Sequence, residues 1–400
     1  MTTTGDIDLM DAQAFSAGVP HDYFRELRGR EGLTWARDGD GGGFWYLVRH
    51  AEVASASRNT SVFSSSPSTM TSVRQQEQEI DPPLITFLDG QAHNRMRRLT
   101  AKGFAPARLS ALADSIQRIV DRLLAETIQA DRFDLAEDVA LQLPLEVLAE
   151  LIGIPHEERP ELLTWSRQTV NLGDPSYDKS NFEDGTQAFR NIFGYLFDLV
   201  NRRAAQPSDD LFSVLLAARL KDEHLAPIEI AQFATTLMSA GSETTYCSLT
   251  GGVLALLQHP DQLALLREHR ELIPRAVEEI LRWVTPVTHF ARNVTRDVEV
   301  AGQQIRTGER IVMWYSSANR DERAFADPDR LDVTRDPNPH VAFGGGGPHY
   351  CIGNHLAVLE LRCFLGSWLD QLDRLELLGT PVRTETNFMN SVKWMPARFR

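Results

Sequence analysis

Apolar positions in this chain recur mainly at three-and-four spacing. From about residue 105 to 282 nearly every stretch carries that period, as at Leu141, Leu145, Leu148 and Ile152, and predicts helices that bury one face. Residues 227–259 extend it into a single predicted helix about 50 Å long, and residues 354–373 return to it. Elsewhere the period shortens. Residues 41–50 (GGGFWYLVRH) read as a glycine turn feeding a short apolar strand, and 298–315 alternate and turn at Gly302 and Gly308. The C-terminal tail reads as extended. Residues 60–84 are polar, serine-rich and broken by proline; a loop of that length in a compact fold usually has a function or moves. The pattern predicts a mainly α chain with small β-sheets, lacking the βαβ alternation of a Rossmann sheet. No repeat or low-complexity linker divides it. One domain over 1–400 is expected, with a β-rich part near 31–60, 298–317 and 380–400 and a helical part over 89–282 and 354–373.

Composition narrows the function. Four hundred residues can bury a large core, and a charged fraction of 24% excludes a largely disordered chain. Fifty-five acidic against 41 basic residues leave a net charge of −14, which argues against a general nucleic-acid or anionic-membrane binder. Three cysteines, Cys247, Cys351 and Cys363, make no disulfide framework and suit a reducing compartment. The N-terminus MTTTGDIDLMDAQAF lacks the apolar core of a signal peptide, and no run of 18 apolar residues could span a membrane. A soluble, cytoplasmic, monomeric protein is expected.

The most unusual local sequence is Phe343-Gly344-Gly345-Gly346-Gly347-Pro348-His349-Tyr350-Cys351-Ile352-Gly353-Asn354, which opens a predicted helix. Four consecutive glycines cost conformational entropy and imply close backbone approach to something flat or charged. Cys351 lies at the helix start, where free amides and the helix dipole favour a thiolate. A phosphate loop would need a GK[ST] ending, which is missing. A zinc site could draw on His349, Cys351 and His355, though without a second cluster. A buried, inert cysteine is the bland alternative; it suits Cys363, beside Leu356 and Leu359, better than Cys351.

This loop resembles the haem-ligand loop of the cytochrome P450 family, F-G-x-G-x-H-x-C-x-G, running here from Phe343 to Gly353. Cys351 stands eight positions after Phe343 instead of the commoner seven, a longer glycine loop that some bacterial branches share. Four further motifs follow the family's order. Glu279-Ile280-Leu281-Arg282 matches the E-x-x-R pair; three-residue spacing puts both side chains on one helix face, though alone the pattern is common on solvated helices. Ala240-Gly241-Ser242-Glu243-Thr244-Thr245 lies midway along the long predicted helix, where glycine costs about 1 kcal/mol against alanine and hydroxyls can bond back and distort the helix. Residues 89–104 resemble the haem-propionate helix. With Arg95 set to zero at 100° per residue, His93 and Arg97 fall at about 160° and 200°, and Arg98 and Lys102 at about 300° and 340°. Arg292, in Pro286–Arg292, matches the family's other propionate arginine.

The resemblance implies a helix-rich triangular prism, with haem b between the long central helix and the helix after the cysteine loop. Cys351 would be the axial thiolate, which favours O–O cleavage. His349, His93, Arg97 and Arg292 would hold haem carboxylates. Gly241 would leave room for dioxygen, and Glu243 and Thr244 would form the acid–alcohol pair that delivers protons. Electrons would come from NAD(P)H through a separate ferredoxin and its reductase. Arg95, Arg98 and Lys102 would form the docking patch, unless they are ordinary solvated charge. The pocket would draw on Leu84, Phe87, Leu172, Phe182, Leu237, Ala240, Val287, Phe290, Phe388 and Met389, each of which could equally be plain core. The long glycine loop and the tail 387–396 are similar to branches that oxidise steroids, terpenoids and methyl-branched lipids. Tailoring of a polyketide, peptide or aromatic natural product is the main competitor. Peroxygenases and non-catalytic haem proteins have no need of Glu243 and Thr244.

Overall fold

The structure, a computed structural model, describes residues 7–37, 42–71, 83–169 and 179–400. Thirteen helices are found among them: α1 (His21–Gly29), α2 (His50–Arg58), α3 (Gly90–Thr100), α4 (Pro106–Gln129), α5 (Gln142–Ile152), α6 (Arg159–Thr169) and α7 (Lys179–Ala205). The series continues with α8 (Leu211–Ala217), α9 (Pro227–Gln258), α10 (Pro260–Glu268), α11 (Ile273–Val284), α12 (Tyr315–Ala318) and α13 (Asn354–Leu372). The strands are β1 (Thr34–Arg37), β2 (Gly43–Leu47), β3 (Phe63–Ser64), β4 (Phe133–Asp134), β5 (His289–Val294) and β6 (Val298–Val300). After them come β7 (Gln303–Ile305), β8 (Arg310–Trp314), β9 (Leu375–Leu377), β10 (Val382–Arg383), β11 (Val392–Trp394) and β12 (Pro396–Phe399). No helix among the described residues is long and apolar enough to cross a membrane.

The largest sheet has the order β1-β2-β8-β5-β3, antiparallel except for the β2–β8 pair. Its alternation comes directly from the sequence. Ile311 and Met313 of β8 pack with Leu47 and with Val53 of α2, while Val312 and Trp314 face Phe44, Tyr46 and Phe24 of α1. The helical core is larger and joins α4, α5, α9, α11 and α13. Central to it is α9, which starts at Pro227 with the Glu229 carboxylate accepting from Ala226 N at 2.8 Å.

Several local expectations need correction. The segment 31–60 is strand only as far as Leu47; His50–Arg58 is helix, because Glu52 accepts from the Arg49 backbone and Val53, Ala54 and Ala56 bury one face. The strand β5 and a six-residue π-helical turn at Leu135–Ala140 carry no sequence signal that the helical period reveals. In α9 the hydroxyls of Ser242, Thr244 and Ser248 do bond back to carbonyls one turn earlier, yet the helix continues unbroken.

Candidate active site

The cysteine loop is shaped by close contact with α2. A Cβ on Gly345 would lie 2.6 Å from Ser57 Oγ, and one on Gly347 would lie 2.7 Å from Ser57 O. Gly347 also has φ of +81°, which a side chain would strain. Part of the glycine run therefore answers to the last turn of α2, a partner that the sequence does not reveal. Cys351 N donates to Phe343 O at 3.0 Å, closing the loop on itself. Phe343 and Ile352 pack against the core that holds Leu237 and Met238 of α9.

Cys351 precedes α13, whose cap is Gly353. Burial pushes its thiol up, while N–H groups of Gly353 and Asn354 and the Arg97 guanidinium pull the other way. Desolvation wins, so the helix start alone does not give the thiolate expected from the sequence; coordination to a metal would have to supply it.

Basic side chains converge beside this thiol from separate elements. Arg97 of α3 donates to Tyr350 O. His93, one turn earlier, is 2% exposed, and its ring lies 4.1 Å from that of His349. Burial, helped by His349 and Arg97, pushes His93 down to about 4. Its Nδ1 is buried with no hydrogen-bond partner among the described residues. His349 Nε2 is 3.1 Å from both Asp89 Oδ1 and Ser65 Oγ. Arg292 of β5 is buried, donates to Ala291 O at 2.8 Å and interacts electrostatically with Asp89. Asp89 and Ser65 escape a motif-based search. Their only trace is the Asp89-Gly90 helix start and the serine run of the 60–84 loop.

On α9, Ala240 is exposed and Gly241, Glu243 and Thr244 are half-buried, whereas Ser242, Thr245 and Tyr246 are buried. Thr244 Oγ1 donates to Ala240 O at 2.6 Å. The position a Cβ would take on Gly241 lies 3.2 Å from Leu148 Cδ1, so this glycine also serves the α5–α9 contact.

Among the expected pocket residues, Val287 pairs with Met389 across an isolated bridge, and the Phe290 and Phe388 rings lie 5.5 Å apart. Leu84 and Phe87 are half-buried, flanking and within a short 3-10 turn; Leu237 and Met389 are buried. Leu172 lies outside the described residues, as does the side chain of Phe182. The basic face expected for Arg95, Arg98 and Lys102 is broken up. Arg95 pairs with Glu229 at 2.7 Å and Glu223 at 3.5 Å, Lys102 sits in a 3-10 turn and donates to Arg219 O, and Arg98 is exposed. The pair Glu279–Arg282 is wholly buried and bidentate, at 2.7 and 2.8 Å.

Comparison with known proteins decides the family: the cytochrome P450 family model matches residues 11–393. The chain belongs to the cytochrome P450 family. It is 34% identical over 399 residues to a steroid C26-monooxygenase of Mycolicibacterium smegmatis, covering 97% of this chain and 92% of that one. It is 33% identical over 396 residues to a linalool 8-monooxygenase of Pseudomonas putida, covering 96% and 97%. A solved Mycobacterium marinum cytochrome P450 in complex with pseudoionone matches it at a TM-score of 0.88 and 32% identity, with 100% of both chains covered. This P450 is thus a haem-dependent monooxygenase that uses dioxygen on hydrophobic substrates and receives electrons from redox partners. The residues present fit that cofactor: a half-buried cysteine with amide donors at its thiol, two guanidinium groups, and an unpartnered buried imidazole nitrogen.

Proposed function

We propose that this P450 hydroxylates a steroid- or terpenoid-sized skeleton, with Cys351 as the iron ligand and Glu243 and Thr244 delivering protons. Arg97, Arg292, His93 and His349 hold the haem carboxylates, and Phe343 and Gly353 frame the ligand loop. One observation carries the assignment: the loop that carries His349 and Cys351 meets Arg97 and His93 of α3, from a distant part of the chain. Bound haem supplies the iron at which dioxygen is activated. The Thr244 hydroxyl proton is committed to Ala240 O, so Oγ1 acts as an acceptor that orients a water, and Glu243 one residue earlier is the acid that recharges it. An apolar wall of Val287, Phe290 and Phe388, with Leu84, Phe87 and Leu237 nearby in the family arrangement, suits a rigid hydrocarbon with few polar groups. The steroid and linalool relatives support that class. A separate ferredoxin, fed by NAD(P)H through a reductase, is the proposed donor, with exposed Arg98 as its contact on α3.

The test is Thr244→Ala in the haem-loaded enzyme, supplied with a steroid or terpenoid that shifts the haem spin state. Product per electron pair should fall at least about tenfold while electron consumption continues as peroxide. Unchanged coupling would overturn the proton-delivery role. If no steroid or terpenoid in the panel shifted the spin state, the substrate class would be wrong.

A further inference from the structure

Asp89 stands where a helix cap belongs, but its side chain does not cap. It occupies the N-cap position of α3, with φ of −132° and ψ of 172°, and its carboxylate accepts nothing from the first turn of that helix. Capping is the usual reason for aspartate at this position, so the carboxylate is held there by something else. Oδ2 accepts from Ser64 Oγ at 2.6 Å, Ser65 N at 2.7 Å and Ser66 N at 3.3 Å. Oδ1 lies 3.1 Å from His349 Nε2. Although burial raises the acid, the hydrogen bonds from His349, Ser64 and Ser65 outweigh it, and Asp89 titrates below the ordinary carboxylate range.

An ionised carboxylate only accepts, so Nε2 of His349 carries the hydrogen and donates to Asp89. Ser65 Oγ lies 3.1 Å from the same nitrogen. The imidazole is therefore fixed on one edge by two oxygens from two elements. The serine turn continues into a segment hung on the central sheet: Ser66 O accepts from Asn293 Nδ2 at 2.8 Å, and Thr69 O from Ala291 N at 2.7 Å. Those residues flank Arg292.

We infer that Asp89 is a positioning residue for the haem-carboxylate site, clamping the His349 ring to the Ser64–Ser66 turn so that the ring, α3 and β5 share one geometry. The inference rests on the assignment of His349 to a haem carboxylate. It also gives a role to the serine-rich loop, which the motifs left unexplained.

The test uses haem-loaded protein and two readouts that need no turnover. Haem transfer to excess apomyoglobin is followed at the Soret band, and the propionate bending band is read by resonance Raman. Asp89→Asn keeps the shape and cannot remove a helix cap that is not there, but it loses an acceptor. Transfer should be about tenfold faster, the loss expected for one charge-assisted hydrogen bond, with a shifted propionate band. Ser65→Ala, which leaves the carboxylate in place, should move both in the same direction by less. His349→Phe is the reference. If it alters neither readout, the carboxylate assignment fails and the inference fails with it. If His349→Phe alters both while Asp89→Asn matches wild type, the inference alone is overturned.

Discussion

Glu279 and Arg282 are each wholly buried, a position neither charge could hold alone. Both are stabilised by a ring of partners drawn from the segment between α12 and the cysteine loop. Arg282 donates to the carbonyls of Asn319, Pro328 and Arg330, while Glu279 accepts from Asp332 N, Arg335 Nε and Asn338 Nδ2. Removing Arg282 leaves Glu279 with Arg335 as its remaining cation at 3.1 Å, but it takes away the bidentate partner and leaves three carbonyls without their donor, which is where buried pairs are costly. Arg282→Ala should therefore lose about 3–5 kcal/mol in urea unfolding, and Arg282→Lys should lie between it and wild type because a point charge cannot serve three carbonyls and a bidentate carboxylate. A loss below about 1 kcal/mol for Arg282→Ala would mean that the network is dispensable. The sequence offers only the three-residue spacing, which fits any solvated helix. Burial depends on carbonyls far along the chain, and no local pattern encodes them.

Glycines within helices separate two physical situations. Gly252 of α9 faces α11, and a Cβ there would come within 2.7 Å of Ile280 Cγ2, a side chain that is itself buried. Gly194 of α7 is exposed, with nothing within 4 Å of the same position. Gly194→Ala should accordingly stabilise the protein by about 0.5–1 kcal/mol through helix propensity and lost unfolded-state freedom. Gly252→Ala should destabilise it by about 1–2 kcal/mol, because overpacking exceeds the propensity gain. Thermal unfolding of the two variants side by side checks this; a stabilised Gly252→Ala would show that the α9–α11 contact yields easily. The same contrast explains what could be read in advance. The helices α5, α9 and α13 follow from the apolar period, which repeats over several turns. The strand β5, the π-turn at Leu135–Ala140 and the helix α2 are short, and they exist because of neighbours supplied by tertiary packing. The Cys351 loop was legible as a site because its glycines and its spacing are rare. The packing of Gly345 and Gly347 on Ser57 was not, because it joins segments nearly 300 residues apart.

Across the whole molecule, the central sheet is where the N-terminal segment, the C-terminal tail and the polar loop meet, and His289 sits at that junction. Its ring lies 4.5 Å from that of Trp314 of β8, tilted by 46°, and 5.7 Å from Phe388, edge-on. Nδ1 lies 3.1 Å from Asn387 O, and Nε2 lies 3.2 Å from Thr71 Oγ1. Thr288 Oγ1 also donates to Asn387 O, and Asn387 Nδ2 donates to Leu9 O. A carbonyl can only accept, so Nδ1 carries the hydrogen and Nε2 accepts from Thr71 in the neutral ring. Burial, opposed weakly by Asn387 O, pushes His289 down to about 3 from an ordinary value near 6.5. The unfolded chain therefore binds a proton that the folded chain refuses between those two values. The stability this neutral ring contributes is complete above pH 6.5 and is lost as pH falls toward about 3, at about 1.4 kcal/mol per unit. By pH 4.5 the wild-type chain should have lost about 2.7 kcal/mol more than His289→Gln, which keeps a donor and an acceptor but does not titrate. Urea unfolding of both proteins at pH 7.0 and 4.5 measures the difference directly, with titrations common to both cancelling in the comparison. Parallel losses in the two proteins would show that the junction admits a proton in the folded state, and that the sheet, tail and loop are less tightly closed around His289 than its contacts indicate.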